Sequence, residues 1–283
     1  MPEEEVIASV QDARAARRRE RRRRRRLEQR EGLPPRGLYL LPSLVTTANL
    51  GLGFFAIVQS FAGRHDLAAS GIVLAAVCDS LDGWVARRAN ATSRFGVEYD
   101  SIADTVSFGV APAMLAFSAA GLHVLGRPGW VMAFVFTVCA ALRLARFNVS
   151  PGRYKGRFEG MPSPAAAGTI ASTQWFVSFL RDSGIAVDVP AILPALGVVV
   201  LGLLMVSPIP YRSNKELELR HSWQTLVLVI IALLLIVQEP SVMLFVITIV
   251  YAFSGPIELL WRRRTGAVLE ELHPENSTEP PSA

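Results

Sequence analysis

The chain has 283 residues, 51% of them hydrophobic and only 19% charged, with a formal net charge of +5 and a mean hydropathy of +0.34. That balance, with apolar runs of roughly 20 residues repeated along the chain, excludes an ordinary soluble globular fold, since each run is long enough to cross about 30 Å of hydrocarbon as a helix. The two cysteines, Cys78 and Cys139, both lie inside apolar runs and exclude a disulfide framework.

Residues 1–37 open acidic and become a run of arginines that ends at Pro34, Pro35 and Gly37. No apolar region with a cleavage site directly follows the arginines, so this is not a normal signal peptide. A cytosolic tail, disordered or an exposed helix, is expected there. Each basic residue held near anionic headgroups contributes about 1 kcal/mol of attraction. No aromatic residues interleave with the arginines, which argues against a nucleic-acid partner. Lys155 and Lys215 are the only lysines among 29 basic residues, a bias that points to a GC-rich bacterial genome.

Residues 38–264 are expected to form an all-α, polytopic helical membrane bundle. Eight spans are expected, at 42–62, 67–87, 97–120, 129–149, 162–180, 189–210, 222–238 and 241–261. With a cytosolic N-terminus, the inner connections and the start of the C-tail carry Arg87, Arg88, Arg94, Arg146, Arg153, Lys155, Arg157, Arg212, Lys215, Arg220, Arg262, Arg263 and Arg264. The outer connections carry only Arg64, Arg127 and Arg181. Thirteen against three places both termini in the cytosol. Residues 265–283 are polar and proline-rich, as expected of a disordered cytosolic tail.

The second and third spans hold carboxylates at their cytosolic ends. Residues three or four apart share a helix face, so Asp79, Asp82, Gly83 and Ala86 form one stripe, and Gly96, Asp100 and Asp104 another. The small residues let backbones or a ligand approach closely. The short connection from Arg88 to Phe95 makes the two helices antiparallel neighbours whose stripes can face each other. Two like charges about 4 Å apart repel by about 4 kcal/mol at an effective dielectric of 20. Proton uptake or bound cations would relieve that repulsion. Hard divalent cations prefer oxygen ligands, and four carboxylates balance two such ions. Two metals form a clamp suited to displacement at phosphorus. The structural reading is a set of helix-end carboxylates paired with Arg87, Arg88 and Arg94, but four acids on two small-residue stripes favour a functional site.

Asp79-x-x-Asp82-Gly83-x-x-Ala86-Arg87, eight residues, Gly96, three residues, Asp100, three residues and Asp104 resembles the signature of the CDP-alcohol phosphatidyltransferase family at all eight fixed positions. The resemblance implies a six-helix core, usually dimeric, with a cytosol-facing site. It implies transfer of a phosphatidyl-type group from a CDP-linked donor to an alcohol, with release of CMP. By position, Asp79, Asp82 and Asp100 would be ligands of two divalent cations, Mg²⁺ or Mn²⁺. Asp104 would sit at the metals and act as general base. Gly83, Ala86 and Gly96 would make room for the donor nucleotide, with Arg87 near its phosphates. A hydroxyl is a poor nucleophile at neutral pH, so it needs a positioned carboxylate to take its proton.

The acceptor is read from other segments. "LPSLVTTANLGLGFFAI", residues 41–57, resembles the first helix of the family's serine branch through Pro42, Thr46, Asn49, Gly53 and Phe54, although Ser43 stands where Asn is usual. "DSIADTVSFGVAPA" and "ALRLARFNVS" with "GRFEGMPSPAAAG" are similar to the same branch. The resemblance implies CDP-diacylglycerol and L-serine as substrates, in a bacterial cytoplasmic membrane. Asn49, Arg143 and Arg146 are the candidate acceptor-binding residues, because paired arginine hydrogen bonds suit a carboxylate. Snorkelling to the interface competes as a role for Arg146. The loop "NVSPGRYKGRFEGMPSP" is either a flap over the site or an ordinary positive-inside loop. The alternatives are another acceptor (glycerol 3-phosphate or an inositol phosphate) and, in another class, a divalent-cation or proton transporter. None of the four histidines begins a His-x-Lys-x₄-Asp sequence, which excludes a phosphohistidine route.

Overall fold

The structure, a computed structural model, describes residue 20 and residues 40–89, 94–149, 157–185, 188–212 and 238–265. In chain order these form α1 (Leu40–Phe61), α2 (His65–Ala89), α3 (Arg94–Asp104), a π-helical segment (Thr105–Val110) and α4 (Ala111–Ala119). A 3₁₀ turn (Leu122–Leu125), α5 (Arg127–Val149), α6 (Ser163–Asp182), α7 (Ile192–Val206) and α8 (Pro240–Thr265) follow. Helix occupies seven of the eight expected spans. The remaining one, 222–238, lies outside the described residues except for Gln238, as do most of the N-terminal tail and residues 266–283. Four stretches are long and apolar enough to cross a membrane by length and composition: Leu44–Phe61, Phe95–Ala119, Arg127–Val149 and Pro240–Arg262.

The outer surface is as apolar as the core, unlike that of a water-soluble protein. The core is rich in small side chains, with Ala56, Ala68, Ala75, Ala111, Ala166 and Ala171 fully buried, while Phe54, Phe61, Leu74, Phe134 and Phe253 face outward. Small residues inside allow close helix approach, and large apolar residues outside suit hydrocarbon. The protein is a membrane protein built as an all-α bundle.

Two helix ends explain where the chain turns back. After α1, Gly63 has φ of 72°, its N–H reaches the Ser60 carbonyl and Arg64 N–H reaches that of Gln59. After α6, Gly184 has φ of 78°, with N–H bonds from Gly184 to Arg181 and from Ile185 to Leu180. Both are Schellman caps, which require the left-handed conformation that glycine adopts without steric penalty.

Two details depart from the sequence expectation. The sixth span was expected to run to residue 210, but α7 ends at Val206: Ser207 is extended at ψ 152°, and Pro208 and Pro210 supply no N–H to continue a helix. Pro210–Arg212 (β2) instead pairs antiparallel with Arg157–Glu159 (β1), Phe158 lying opposite Tyr211. Tyr211 is fully buried, and its hydroxyl donates to the Ala252 carbonyl on α8 at 3.0 Å. Burial, with Tyr251 beside it, pushes that phenol up to about 12, so it stays protonated as a donor. Its ring fills the space over Gly255, where any Cβ would collide with it.

Candidate active site

The acidic stripes converge. Carboxylate oxygens of Asp79 on α2 and of Asp100 and Asp104 on α3 all lie within 4.8 Å of one another. Asp104 is buried, and the other two are half-buried. Spacing explains the placement: Asp100 and Asp104 are one turn apart on α3, and Asp79 sits in the second half of α2, ten residues before its end. α2 continues as helix through Asp82, Gly83, Ala86 and Arg87, three to eight residues beyond Asp79, but their side chains lie outside the described residues. Gly96 is in the first turn of α3, one turn before Asp100.

α1 braces the cluster from a third side. Asn49 is only 1% exposed, and its Nδ2 donates to Asp104 Oδ1 at 3.0 Å. Its backbone carbonyl accepts from Ser107 Oγ at 2.9 Å. Ser107 belongs to the π-helical segment that begins directly after Asp104. Close approach here depends on Gly53, where a Cβ would lie 2.7 Å from the Ser107 Cα. The Gly-Phe pair in α1 thus divides its work: Gly53 seats the π segment, and Phe54 faces outward. A π turn inserts an extra residue into a helix, a device common at functional sites. Here it re-aims α3 relative to α4.

Arg143 of α5 is half-buried, and its Nη1 donates to Ser163 Oγ of α6 at 3.3 Å. It interacts electrostatically with Asp104 and with Tyr251 of α8. Arg143 Nε and Asn49 Oδ1 are buried and have no hydrogen-bond partner among the described residues. Buried polar atoms are normally satisfied, so two orphans beside one acidic cluster mark where a polar ligand completes the site. Arg146, one turn further along α5, is engaged differently. It forms an ion pair with Glu159 of β1 and donates to the Val206 carbonyl at 3.4 Å. Of the three candidate acceptor residues, Asn49 and Arg143 therefore flank Asp104, whereas Arg146 ties α5 to β1 and the end of α7.

Sequence reasoning passed over Ser107, Glu159, Ser163 and Tyr251. One signal was available for Glu159, the only acid in the basic stretch from Asn148 to Pro164. The others are brought in by contacts between distant segments. Of the basic loop itself, residues 150–156 lie outside the described residues and 157–159 form β1.

The donor set fits hard divalent cations. The cluster offers carboxylate oxygens and no thiolate or imidazole, the chemistry of Mg²⁺ or Mn²⁺ rather than of zinc or copper.

Comparison with known proteins agrees with that chemistry. Residues 39–203 match the family profile described as CDP-alcohol phosphatidyltransferase. A Helicobacter pylori protein named CDP-diacylglycerol–serine O-phosphatidyltransferase is 34% identical, covering 81% of this chain and 94% of its own length. A Mycobacterium tuberculosis protein of the same name is 31% identical, over 81% and 83%. An archaetidylserine synthase from Methanothermobacter thermautotrophicus is 36% identical, over 60% and 69%. The matched stretch contains the whole carboxylate cluster, together with Asn49 and Arg143, and covers more than half of the sequence; the chain belongs to the CDP-alcohol phosphatidyltransferase family.

Proposed function

We propose that the protein is a CDP-diacylglycerol–serine O-phosphatidyltransferase, converting CDP-diacylglycerol and L-serine into phosphatidylserine and CMP. The observation that carries this reading is the convergence of Asp79, Asp100 and Asp104 beside Asn49 and Arg143, each of which holds a buried atom with no partner among the described residues. Relatives with that printed name, similar over most of the chain, support the choice of acceptor.

Asp79, Asp82, Asp100 and Asp104 would hold two divalent cations, Mg²⁺ or Mn²⁺, which would supply positive charge against the donor pyrophosphate and the leaving CMP. Gly83, Ala86 and Gly96 would leave room for the nucleotide, and Arg87 would serve its phosphates. Asp104 takes the proton from the serine hydroxyl as that oxygen bonds to the phosphatidyl phosphorus and the bond to CMP breaks. The Asn49 amide, donating to one oxygen of Asp104, fixes the carboxylate's orientation. Arg143 receives the serine carboxylate, which supplies an acceptor for its buried Nε. Arg146 shapes the wall through Glu159. The enzyme works as a homodimer in a bacterial cytoplasmic membrane, with its site and both termini in the cytosol.

Purified protein, CDP-diacylglycerol, labelled serine and Mg²⁺ or Mn²⁺ test the reading directly, with an EDTA control and a panel of other alcohols. Labelled phosphatidylserine with equimolar CMP is expected. Product formed from glycerol 3-phosphate or an inositol phosphate but not from serine would overturn the acceptor and leave the reaction type standing.

A further inference from the structure

A second feature is a cavity whose lining runs from Arg181, at the end of the bundle away from the acids, to Leu204 and Ala252 beside Met161 and Tyr211. It has a volume of about 740 Å³ and opens between α4, α6, α7 and α8. Its wall includes Thr169, Thr173 and Gln174, yet these polar groups are already used. Thr169 and Thr173 bond back to helix carbonyls at 2.9 and 2.6 Å, and Gln174 Nε2 donates to Asp66 and Ser178. Apart from Arg181 the rest of the wall is aliphatic, aromatic or glycine, so the body of the cavity offers a polar ligand few groups to bond and holds water weakly. A hydrocarbon chain would regain the dispersion contacts that an empty space forgoes.

The mouth differs from the body. Arg181, at the end of α6, lines it and is exposed. It makes no hydrogen bond or ion pair among the described residues, and it interacts electrostatically with His65. Three acids lie at this end: Asp66 is occupied by Ser178 at 2.7 Å and Gln174 at 3.2 Å, and the exposed Asp182 and Asp188 make no ion pair with Arg181 among the described residues. Asp66 and Asp79 are thirteen residues apart on one helix, which separates this end from the carboxylate cluster by about 20 Å. From Thr169 to Arg181 the cavity runs about 18 Å along α6, comparable to one leaflet of hydrocarbon, about 15 Å.

We infer that this cavity is a binding site for an anionic phospholipid of the leaflet opposite the catalytic carboxylates, with an acyl chain between α4, α6, α7 and α8 and the headgroup phosphate on Arg181. An apolar cavity with an exposed guanidinium in its lining matches an amphiphile of that polarity.

Two substitutions separate its parts. Gly197 lines the cavity, and a Cβ there meets nothing within 4 Å, so Gly197→Leu projects into the empty space without a backbone collision. Arg181→Gln removes only the exposed charge. Full-length protein, stripped with detergent, is titrated with dioleoylphosphatidylglycerol or dioleoylphosphatidylcholine, and retained lipid is counted by native mass spectrometry alongside the unfolding temperature. Wild type is expected to retain one phosphatidylglycerol per chain and to be stabilised by it, with at least tenfold preference over phosphatidylcholine. Arg181→Gln loses the preference but still takes up lipid, and Gly197→Leu loses uptake. CMP release persists in both variants. Equal retention of the two lipids by wild type, wild-type retention by Gly197→Leu, or no lipid retained by wild type overturns the inference, and none of these outcomes bears on the transferase reading.

Discussion

Asn49 and Asp104 lie 55 residues apart in the chain, yet a single amide N–H holds the carboxylate that is proposed as the base. Replacing Asp104 by Asn keeps the shape and removes the basicity. Turnover should fall by about a hundredfold to ten-thousandfold, the usual worth of a general base, while CDP-diacylglycerol binding changes little. CMP-release kinetics beside an equilibrium donor-binding measurement would show it, and near-wild-type turnover would sink the role. Asn49→Leu removes the donor at similar volume, leaving one Asp104 oxygen buried and unpaired. A loss of about 1–3 kcal/mol in stability is expected, read from detergent unfolding, with a lower kcat and an intact donor KM. Arg143→Ala should raise the serine KM more than the donor KM, and Arg143→Lys should not restore it, because an ammonium cannot reproduce the guanidinium fork. An effect confined to protein level would count against that assignment. The acids were readable from spacing alone, since i, i+3 and i+4 positions share a face. The bracing role of Asn49 was not, because no local pattern encodes which carboxylate a distant amide will meet.

Between residues and bundle stands the π-helical segment from Thr105 to Val110, seated on Gly53 through Ser107 and Asn49. One residue corresponds to about 100° of rotation around a helix. Deleting Val106 should relax the π turn to α-helix and swing Asp100 and Asp104 about 100° relative to α4. Loss of CMP release with unchanged membrane insertion is the expected outcome; retained activity would show that the π geometry is dispensable. Apolar run length located the helices, because crossing hydrocarbon demands it. A π turn has no such signature: Thr105–Val110 is as apolar as the α-helix that follows. The β1–β2 pair was equally hidden, since three-residue strands are fixed by partners rather than by their own pattern. The prolines at 208 and 210 did signal the exit of α7, although the expected boundary ran past it.

For the whole molecule, charge balance makes the strongest demand. Three crowded carboxylates beside buried alanines repel one another unless protons or cations relieve them, and the proposed reaction calls on cations. Chelation with EDTA should therefore abolish phosphatidylserine synthesis and Mg²⁺ or Mn²⁺ should restore it, with no ion flux across protein-containing liposomes. Flux without CMP release would instead favour a transporter. Orientation is tested in a variant lacking Cys78 and Cys139: a cysteine at position 64 should react with an impermeant maleimide from outside, and one at 265 only after permeabilisation. The pairing of Glu159 with Pro210 and of Phe158 with Tyr211 carries a consequence for biosynthesis. Some fifty residues separate β1 from β2, and translation at about 5–20 residues per second makes that an interval of seconds. During it the growing chain already contains Asn49, all four aspartates and Arg143, but β1 has no strand to pair with and Tyr211 no α8 to dock on. The strand pair and the Tyr211 contact with α8 are thus the last of these contacts that synthesis permits, closing only after every proposed site residue has left the ribosome.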